Sequence, residues 1–580
     1  MHSVAIDTGG TFTDLVARGP HGESHRVKVP STPADPSLAI AHALEVLMKG
    51  LGTPIKYRLR HGTTVATNAV LEGRGSEVVI VSNVGFEDLL WLKRQARPAL
   101  YALHPEVTPP LVKRSQVVGI RGRLDADGEI LEALERLDEW LTKNEAAFAR
   151  AKAVAICLLH SYKNTTHERA VLKAIRERYP DIHLCASHQI APVPNEYERT
   201  STVCVNAFVA PVMASYLAKL STLRKEPEAL SVMGSSGALM TSQDAQDHPV
   251  RTVLSGPAGG VRGAWNVGLR CARTHLLTVD MGGTSTDVSV VRGSLLPTDE
   301  GRVGTHPVRI PVLPIETVGA GGGSIAYIDA GGVLRVGPES AGAVPGPACY
   351  GSAEATRATV TDANVVLGRI SQLLGGEFEL HAEAAWDAVG RLASALKITP
   401  ESAANSIVRI AEANMARACK QVIIDNGANP ETLTLVAFGG AAGLHACALA
   451  ESLGCRDVIF PGEPGVLSAL GILEAPHETT HTETLLHPDS EWTPALFETV
   501  LQTVHRSAPQ DASSKITLLA DCRYQGQSWT LPVQLNEATT GTQLRSDFEA
   551  AHQERYGYSL DSSRPIEWVT LRAFYRNHHS

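Results

Sequence analysis

Thr278-Val279-Asp280-Met281-Gly282-Gly283-Thr284-Ser285-Thr286-Asp287-Val288-Ser289-Val290-Val291 decides the fold, because the chain carries it twice. The other copy is Val4-Ala5-Ile6-Asp7-Thr8-Gly9-Gly10-Thr11-Phe12-Thr13-Asp14-Leu15-Val16-Ala17. Both read Asp-x-Gly-Gly-Thr-x-Thr-Asp between two apolar runs, with a glycine soon after (Gly19, Gly293). That pattern predicts strand, tight turn, strand. Paired glycines let backbone N–H groups approach an anion closely, and the threonines add hydroxyl donors. An aspartate beside phosphate makes sense with Mg²⁺ between them, since hard cations take carboxylate oxygens and waters. A lone Gly-Gly-Thr turn is equally an ordinary hairpin. Two copies in matching contexts speak against that.

A chain of 580 residues exceeds one core, so about two to four domains are expected. With 43% hydrophobic and 19% charged residues the composition is globular. The net charge of −9 and the lack of a basic block argue against nucleic acid as a partner. The first residues show no basic stretch followed by an apolar one, so no secretory signal is expected. No uninterrupted apolar run approaches ~20 residues, so no membrane span is expected. The nine cysteines form no Cys-x-x-Cys pair, and their odd number argues against a disulfide framework. Reduced thiols in a cytoplasm are the expectation.

Outward from the two hairpins, residues 35–49 read as a helix with Asp35 as cap and Pro36 in its first turn. His61-Gly62-Thr63-Thr64-Val65-Ala66-Thr67-Asn68 is dense in hydroxyls beside a His and an Asn. It suits a polar pocket, or a strand-to-helix connection with capping threonines. Arg94 and Arg97 could grip a carboxylate or phosphate, or lie on the surface. Thr165 and Glu168 resemble a capping box. Residues 191–194 read as a linker. Ser255-Gly256-Pro257-Ala258-Gly259-Gly260 reads as a small-residue loop whose following helix N-terminus could face an anion. Residues 402–426 predict a long helix ended by Gly427. After a strand at 434–438, Gly439-Gly440-Ala441-Ala442-Gly443 leaves room for a flat ring against backbone.

Two patterns invite over-reading. His477-Glu478-Thr479-Thr480-His481 matches His-Glu-x-x-His, which binds zinc only on a helix. Here Pro476 and the surrounding threonines favour extended structure. His578-His579 reads as a solvated tail. No Gly-x-x-x-x-Gly-Lys-Ser/Thr loop and no helix-opening Gly-x-Gly-x-x-Gly occurs.

Two Asp-Gly-Gly-Thr hairpins followed by a Gly-Gly-rich turn resemble the phosphate-1, phosphate-2 and adenosine motifs of the actin–sugar kinase superfamily. With His61 to Asn68, Ser255 to Gly260, Phe438 to His445 and Pro464 to Gly471, the chain resembles the hydantoinase A/5-oxoprolinase family from Met1 to about residue 475. The resemblance implies an α/β, actin-like ATPase fold: two duplicated ribonuclease H-like domains around a nucleotide cleft, with a smaller C-terminal domain. It implies an N-terminal domain at 1–190, a central ATPase domain at 191–480 and a C-terminal domain at 481–580. Family members of this type bind ATP in an A subunit and phosphorylate the carbonyl oxygen of a cyclic amide, and a B-type subunit opens the activated ring. Carried over, Thr8, Gly9, Gly10, Thr11 and Thr13 face Gly282, Gly283, Thr284 and Ser285 across the phosphates. Gly439, Gly440 and Gly443 pack adenosine. Asp7 and Asp280 orient Mg²⁺ or Mn²⁺, with Asp14 and Asp287 as alternatives. His61, Thr63, Thr64, Asn68, Arg94 and Arg97 are the substrate-side candidates, and His61 is the candidate base.

Two other readings compete. Equivalent subunits serve ketone carboxylases, where an enol is phosphorylated. Chaperone- or activase-type ATPases share the fold, but the missing Cys-x-x-Cys and the lack of a discrete peptide-binding β-domain speak against them. The expected partners are a B-type subunit in a hetero-oligomer and a small cyclic amide or ketone.

Overall fold

The computed structural model describes the chain apart from residues 33, 53–54, 97–100, 105–106, 224–229, 373–377, 508–514, 537 and 578–580. Arg97, His578 and His579 therefore lie outside the described residues. The chain forms two compact units. One comprises Met1–Thr63, Ser255–Leu296 and Leu313–Ala475, the other Thr64–Leu254, Pro297–Val312 and Pro476–Ser580. These cuts differ from 190 and 480 because strands pair across long stretches of chain. Strand His477–Pro488, for example, joins Leu239–Thr241.

The first unit holds two strand runs of the same order. In the first, Ser24–Pro30, Phe12–Arg18 and His2–Thr8 pair antiparallel, and His2–Thr8 then pairs in parallel with Tyr57–Gly62. In the second, Ile315–Val318, Thr286–Arg292 and His275–Met281 repeat the antiparallel set. Parallel strands Thr434–Phe438 and Asp457–Ile459 complete it. This duplicated α/β arrangement is the actin-like ATPase fold. Val4, Ala5, Ile6, Leu15, Val16 and Ala17 are fully buried. Helix Pro36–Leu51 covers them with Ile40, Ala43, Leu44 and Leu47; its cap is Asp35, which accepts from the Ser37 N–H, and its end is Gly52 in the left-handed region. Each fully buried Leu or Ile there contributes about 1.5–3 kcal/mol. The second run is backed by helices Ala382–Leu396, Pro400–Asp425 and Ala446–Leu453, which share one core with Leu277, Val279 and Val288.

In the second unit, parallel strands run in the order His183–Ala186, Ala153–Ile156, Val78–Asn83, Val117–Ile120. Helix Glu196–Thr222 is long and apolar enough to cross a membrane by length and composition, which the run of single residues did not suggest. Most of it is buried inside the unit, from Val203 to Leu220, as a core helix would be. The C-terminal strands Lys515–Tyr524, Leu531–Leu535 and Ile566–Asn577 pack helix Gly541–Tyr556 over a separate core of Trp568, Tyr524, Phe548 and Leu571.

Two local expectations change. Residues 255–260 are not a loop but the opening of helix Ser255–Arg270. Its glycines serve packing: a Cβ on Gly263 would strike Leu467, and one on Gly471 would strike the Gly259 carbonyl. Thr165 makes no side-chain cap. Glu168 instead turns inward and accepts from the Leu158 and His188 backbone N–H groups and from the Ser187 hydroxyl. The His477–His481 stretch is extended, inside strand His477–Pro488. All nine cysteines are free.

Candidate nucleotide and metal site

The two hairpins set their aspartates in matching cross-strand rows. In the first, Gly62, Asp7, Asp14 and Lys28 lie side by side on four adjacent strands. In the second, Phe438, Asp280, Asp287 and Thr317 occupy the same places. Directly opposed residues share a sheet face, so each row puts two carboxylates together. The third strand then supplies a partner for the outer aspartate. Lys28 Nζ donates to Asp14 Oδ1 at 2.5 Å, and Thr317 Oγ1 donates to Asp287 Oδ1 at 2.6 Å. Neither Lys28 nor Thr317 stood out in the sequence. Both are set by the register of the third strand, which the sequence alone does not reveal.

The inner aspartates are less compensated. Asp7 Oδ1 is sealed from solvent without a hydrogen-bond partner. Burial, with the charges of Asp14 and Asp287, pushes Asp7 up to about 7, against the pull of Lys28. Burial, then Asp287, Asp7 and Asp14, pushes Asp280 up to about 8, with a Ser468 hydrogen bond opposing. Asp287 is raised to about 6 and Asp14 is also raised, both by burial, with Lys28 opposing at Asp14. Four carboxylates that sense one another across two hairpins call for a cation. Among the described residues no three His, Cys, Asp or Glu side chains converge to hold a metal unaided. That fits Mg²⁺, which keeps several waters and binds through one or two carboxylates plus phosphate. The unpartnered Asp7 oxygen is the observation that fits it to this site.

Both turns close alike. Gly9 N–H donates to the Phe12 carbonyl, and Gly282 N–H to the Ser285 carbonyl. The tips face each other: a Cβ on Gly283 would come 3.8 Å from Thr11 Oγ1. Gly10, Gly440 and Gly443 open onto empty space, with nothing within 4 Å of an added Cβ. Bracing differs. The first tip is held by Ser31, whose hydroxyl donates to the Gly9 carbonyl and bonds Thr13 Oγ1, and whose N–H meets the Thr11 carbonyl. The second is held by a glycine loop, with Gly322 N–H on the Gly282 carbonyl and Gly323 N–H on the Gly283 carbonyl. A Cβ on Gly321 would reach the Thr284 backbone at 2.7 Å. Gly439 sits at φ +83°, where a side chain would strike Asp280 and the Met281 carbonyl. Gly439 N–H donates to the Pro464 carbonyl and Ala441 N–H to the Met281 carbonyl, which ties the adenosine-type turn to the second hairpin.

The substrate-side candidates separate. His61 is fully buried, paired in register with Ile6, and its Nδ1 lies 3.2 Å from the Ile6 carbonyl. Strand alternation therefore turns it to the face away from the Asp7 row. Burial lowers it to about 4, so it is neutral at pH 7. Thr63 is buried, and its backbone N–H and carbonyl both meet Ser255 Oγ. Thr64 and Asn68 belong to the second unit, with Asn68 Nδ2 3.4 Å from Thr64 Oγ1. Arg94, also there, makes a bidentate pair with Glu198 at 2.8 and 2.9 Å rather than a free grip.

Comparison with known proteins identifies the family. The hydantoinase/oxoprolinase N-terminal region family matches residues 3–179, and the hydantoinase/oxoprolinase family matches residues 199–481. Caprolactamase subunit alpha of Pseudomonas jessenii is 32% identical, over 98% of this chain and 86% of that one. The acetophenone carboxylase gamma subunit of Aromatoleum aromaticum is 32% identical, over 87% of this chain and 72% of that one. The crystal structure of the ATP-dependent caprolactamase from Pseudomonas jessenii superposes with a TM-score of 0.88 at 31% identity, covering 100% of this chain and 88% of that one. Duplicated hairpins, matched aspartate rows and these similarities along almost the whole chain lead to one assignment: the chain belongs to the hydantoinase/oxoprolinase family.

Proposed function

We propose that the chain is the ATP-binding subunit of an ATP-dependent cyclic amide hydrolase, which phosphorylates the substrate carbonyl oxygen so that a B-type subunit can open the ring. The observation that carries this reading is the pair of facing aspartate rows, in a chain 32% identical to caprolactamase subunit alpha. An amide carbonyl is a poor electrophile, and a phosphate ester on its oxygen is a good leaving group. Phosphoryl transfer asks the protein for positioning and charge neutralisation rather than covalent chemistry. Backbone N–H groups of the two Gly-Gly-Thr turns hold the phosphates from both sides. The Gly439–Gly443 turn packs adenosine. Asp7 and Asp280 hold the metal: Asp7 Oδ1 is buried without a partner, Asp14 is engaged by Lys28, and Asp280 is the residue matched to Asp7 in the second row. When bound, Mg²⁺ neutralises the charge building on the transferred phosphoryl group. His61, neutral and buried behind the row, positions strand Tyr57–Gly62. Arg94 supports the head of helix Glu196–Thr222 through Glu198.

The test is an ¹⁸O experiment. Caprolactam, hydantoin and 5-oxoproline labelled at the carbonyl are incubated with Mg-ATP, this chain and a B-type partner. The label should enter inorganic phosphate. Label retained wholly in the ring-opened acid would sink carbonyl phosphorylation. Ring opening by the isolated chain would sink the division of labour. The similarity to acetophenone carboxylase gamma subunit supports a second reading, an equivalent subunit of a ketone carboxylase. ATP turnover driven by acetone or acetophenone and by no cyclic amide would favour it.

A further inference from the structure

The second unit contains a cavity of about 50 Å³ that the nucleotide chemistry does not use. It is framed by the turn residues Ser235 and Ser236, by Asp244, by Arg251, and by Glu478 to Thr480 at the start of strand His477–Pro488. A water needs roughly 10–15 Å³, so the space suits roughly three to five heavy atoms. Arg251 is the anomaly. Its Nε is sealed from solvent without an acceptor, and among the described residues its guanidinium donates to no carboxylate. By contrast, Arg199 is held by Glu196, Ser161, Ser187 and the Leu158 carbonyl, Arg309 by Asp299, and Arg572 by Asp521.

The carboxylates near Arg251 are engaged elsewhere. Asp244 closes a cap with Thr241, and Glu478 accepts from Ser236 and Arg576. The Ser235 hydroxyl donates to the Arg251 and Val253 carbonyls, which fixes the backbone that carries the guanidinium. A desolvated cation without a matched acceptor is costly, and burial alone pulls Arg251 below the usual arginine range. The planar fork of a guanidinium matches a carboxylate. Asp244 and Glu478 keep the local field from favouring a polyanion such as phosphate. Thr480, on the same strand face as Glu478, lines the space beside it.

We propose that this cavity is a binding site for a small carboxylate ligand, held by Arg251. The test uses the full chain without nucleotide and [1-¹³C]acetate as the probe, with acetamide as the neutral isostere. Saturable acetate binding with a Kd of about 1 mM is expected. Acetamide should not compete. Arg251→Gln should weaken acetate at least tenfold, and Arg251→Lys should retain part of it. Circular dichroism and an unchanged ATP affinity report that each variant is folded. No saturable binding, equal competition by acetamide, or an unchanged Kd in a folded Arg251→Gln variant would each overturn the proposal. None of these readouts depends on which cyclic amide or ketone the nucleotide site serves.

Discussion

The two aspartate rows are built to one plan and finished differently. In each, an inner aspartate lies beside a parallel strand and an outer aspartate beside an antiparallel one. The first row ends in a cation, Lys28, and the second in a neutral hydroxyl, Thr317. The inner aspartates follow suit, with Asp7 at about 7 and Asp280 at about 8. Duplication thus preserved geometry while the electrostatics diverged. One half carries its own counter-charge, and the other depends on what binds.

Removing an inner carboxylate is the strongest way to break the comparison. Asp7→Asn and Asp280→Asn should each lower ATP turnover on the order of 10²–10³-fold, the usual cost of losing one preorganised electrostatic group. If the rows are equivalent metal holders, the double variant will lose far less than the product of the two, as residues acting as a unit do. Steady-state ATPase assays on the three variants decide it. Full multiplicativity would mean separate roles.

The glycines come next, because one residue type does two jobs. Gly10→Ala and Gly283→Ala add a methyl to space meant for phosphate, so they should fold normally and raise the KM for ATP roughly tenfold, about 1.4 kcal/mol. Gly321→Ala pushes a methyl into the Thr284 backbone. It should instead lower the melting temperature by several degrees, on the order of 1–3 kcal/mol of overpacking. Equal loss of stability in all three would show that the tips are braced, not open.

The repeat made the hairpins legible in sequence, since identical residues in matched apolar frames need one backbone geometry. The cap at Asp35 and the extended run at His477 were legible for a similar reason: their signals are local. What escaped was set by distant neighbours. Gly259, Gly260 and Gly263 look like loop residues by composition, yet they are helical because helix Leu467–Glu474 packs against their bare faces. Arg94 resembles a ligand-gripping arginine until Glu198, more than a hundred residues away, is found to hold it. His61 sits within a run of polar residues, but strand register turns it inward, and no single sequence reveals register. The grouping of residues 64–254 with 476–580 is likewise a fact of pairing rather than composition.

A subtler effect concerns protons. Asp7 and Asp280 are raised well above the ordinary 3.8. Between about pH 4 and pH 8 these two carboxyls therefore hold more protons in the metal-free folded chain than in the unfolded one. Their contribution to stability falls as pH rises through that window, while buried His61, lowered to about 4, works the other way below about pH 6.5. Urea midpoints in a chelator should decline from pH 7 to pH 8, above the histidine range, and Asp280→Asn and Asp7→Asn should each flatten the decline. Magnesium binding at pH 7 should release protons, because its ligands must be deprotonated. Calorimetry in buffers of different ionisation enthalpy measures that release.

The smallest expected effect tests the outer partners directly. Lys28 lowers both aspartates of its row, so Lys28→Met should drive Asp7 and Asp14 further up. The acidic limb of the ATPase pH profile, where the carboxylates must be ionised, should then move to higher pH. Thr317→Val removes one neutral hydrogen bond from Asp287, worth about 1 kcal/mol, so its shift should stay within about one pH unit. The order matters more than either size. If Thr317→Val moved the limb as far as Lys28→Met, the two rows would be electrostatically alike, and the counter-charge on the first would be a structural ion pair with no bearing on the chemistry.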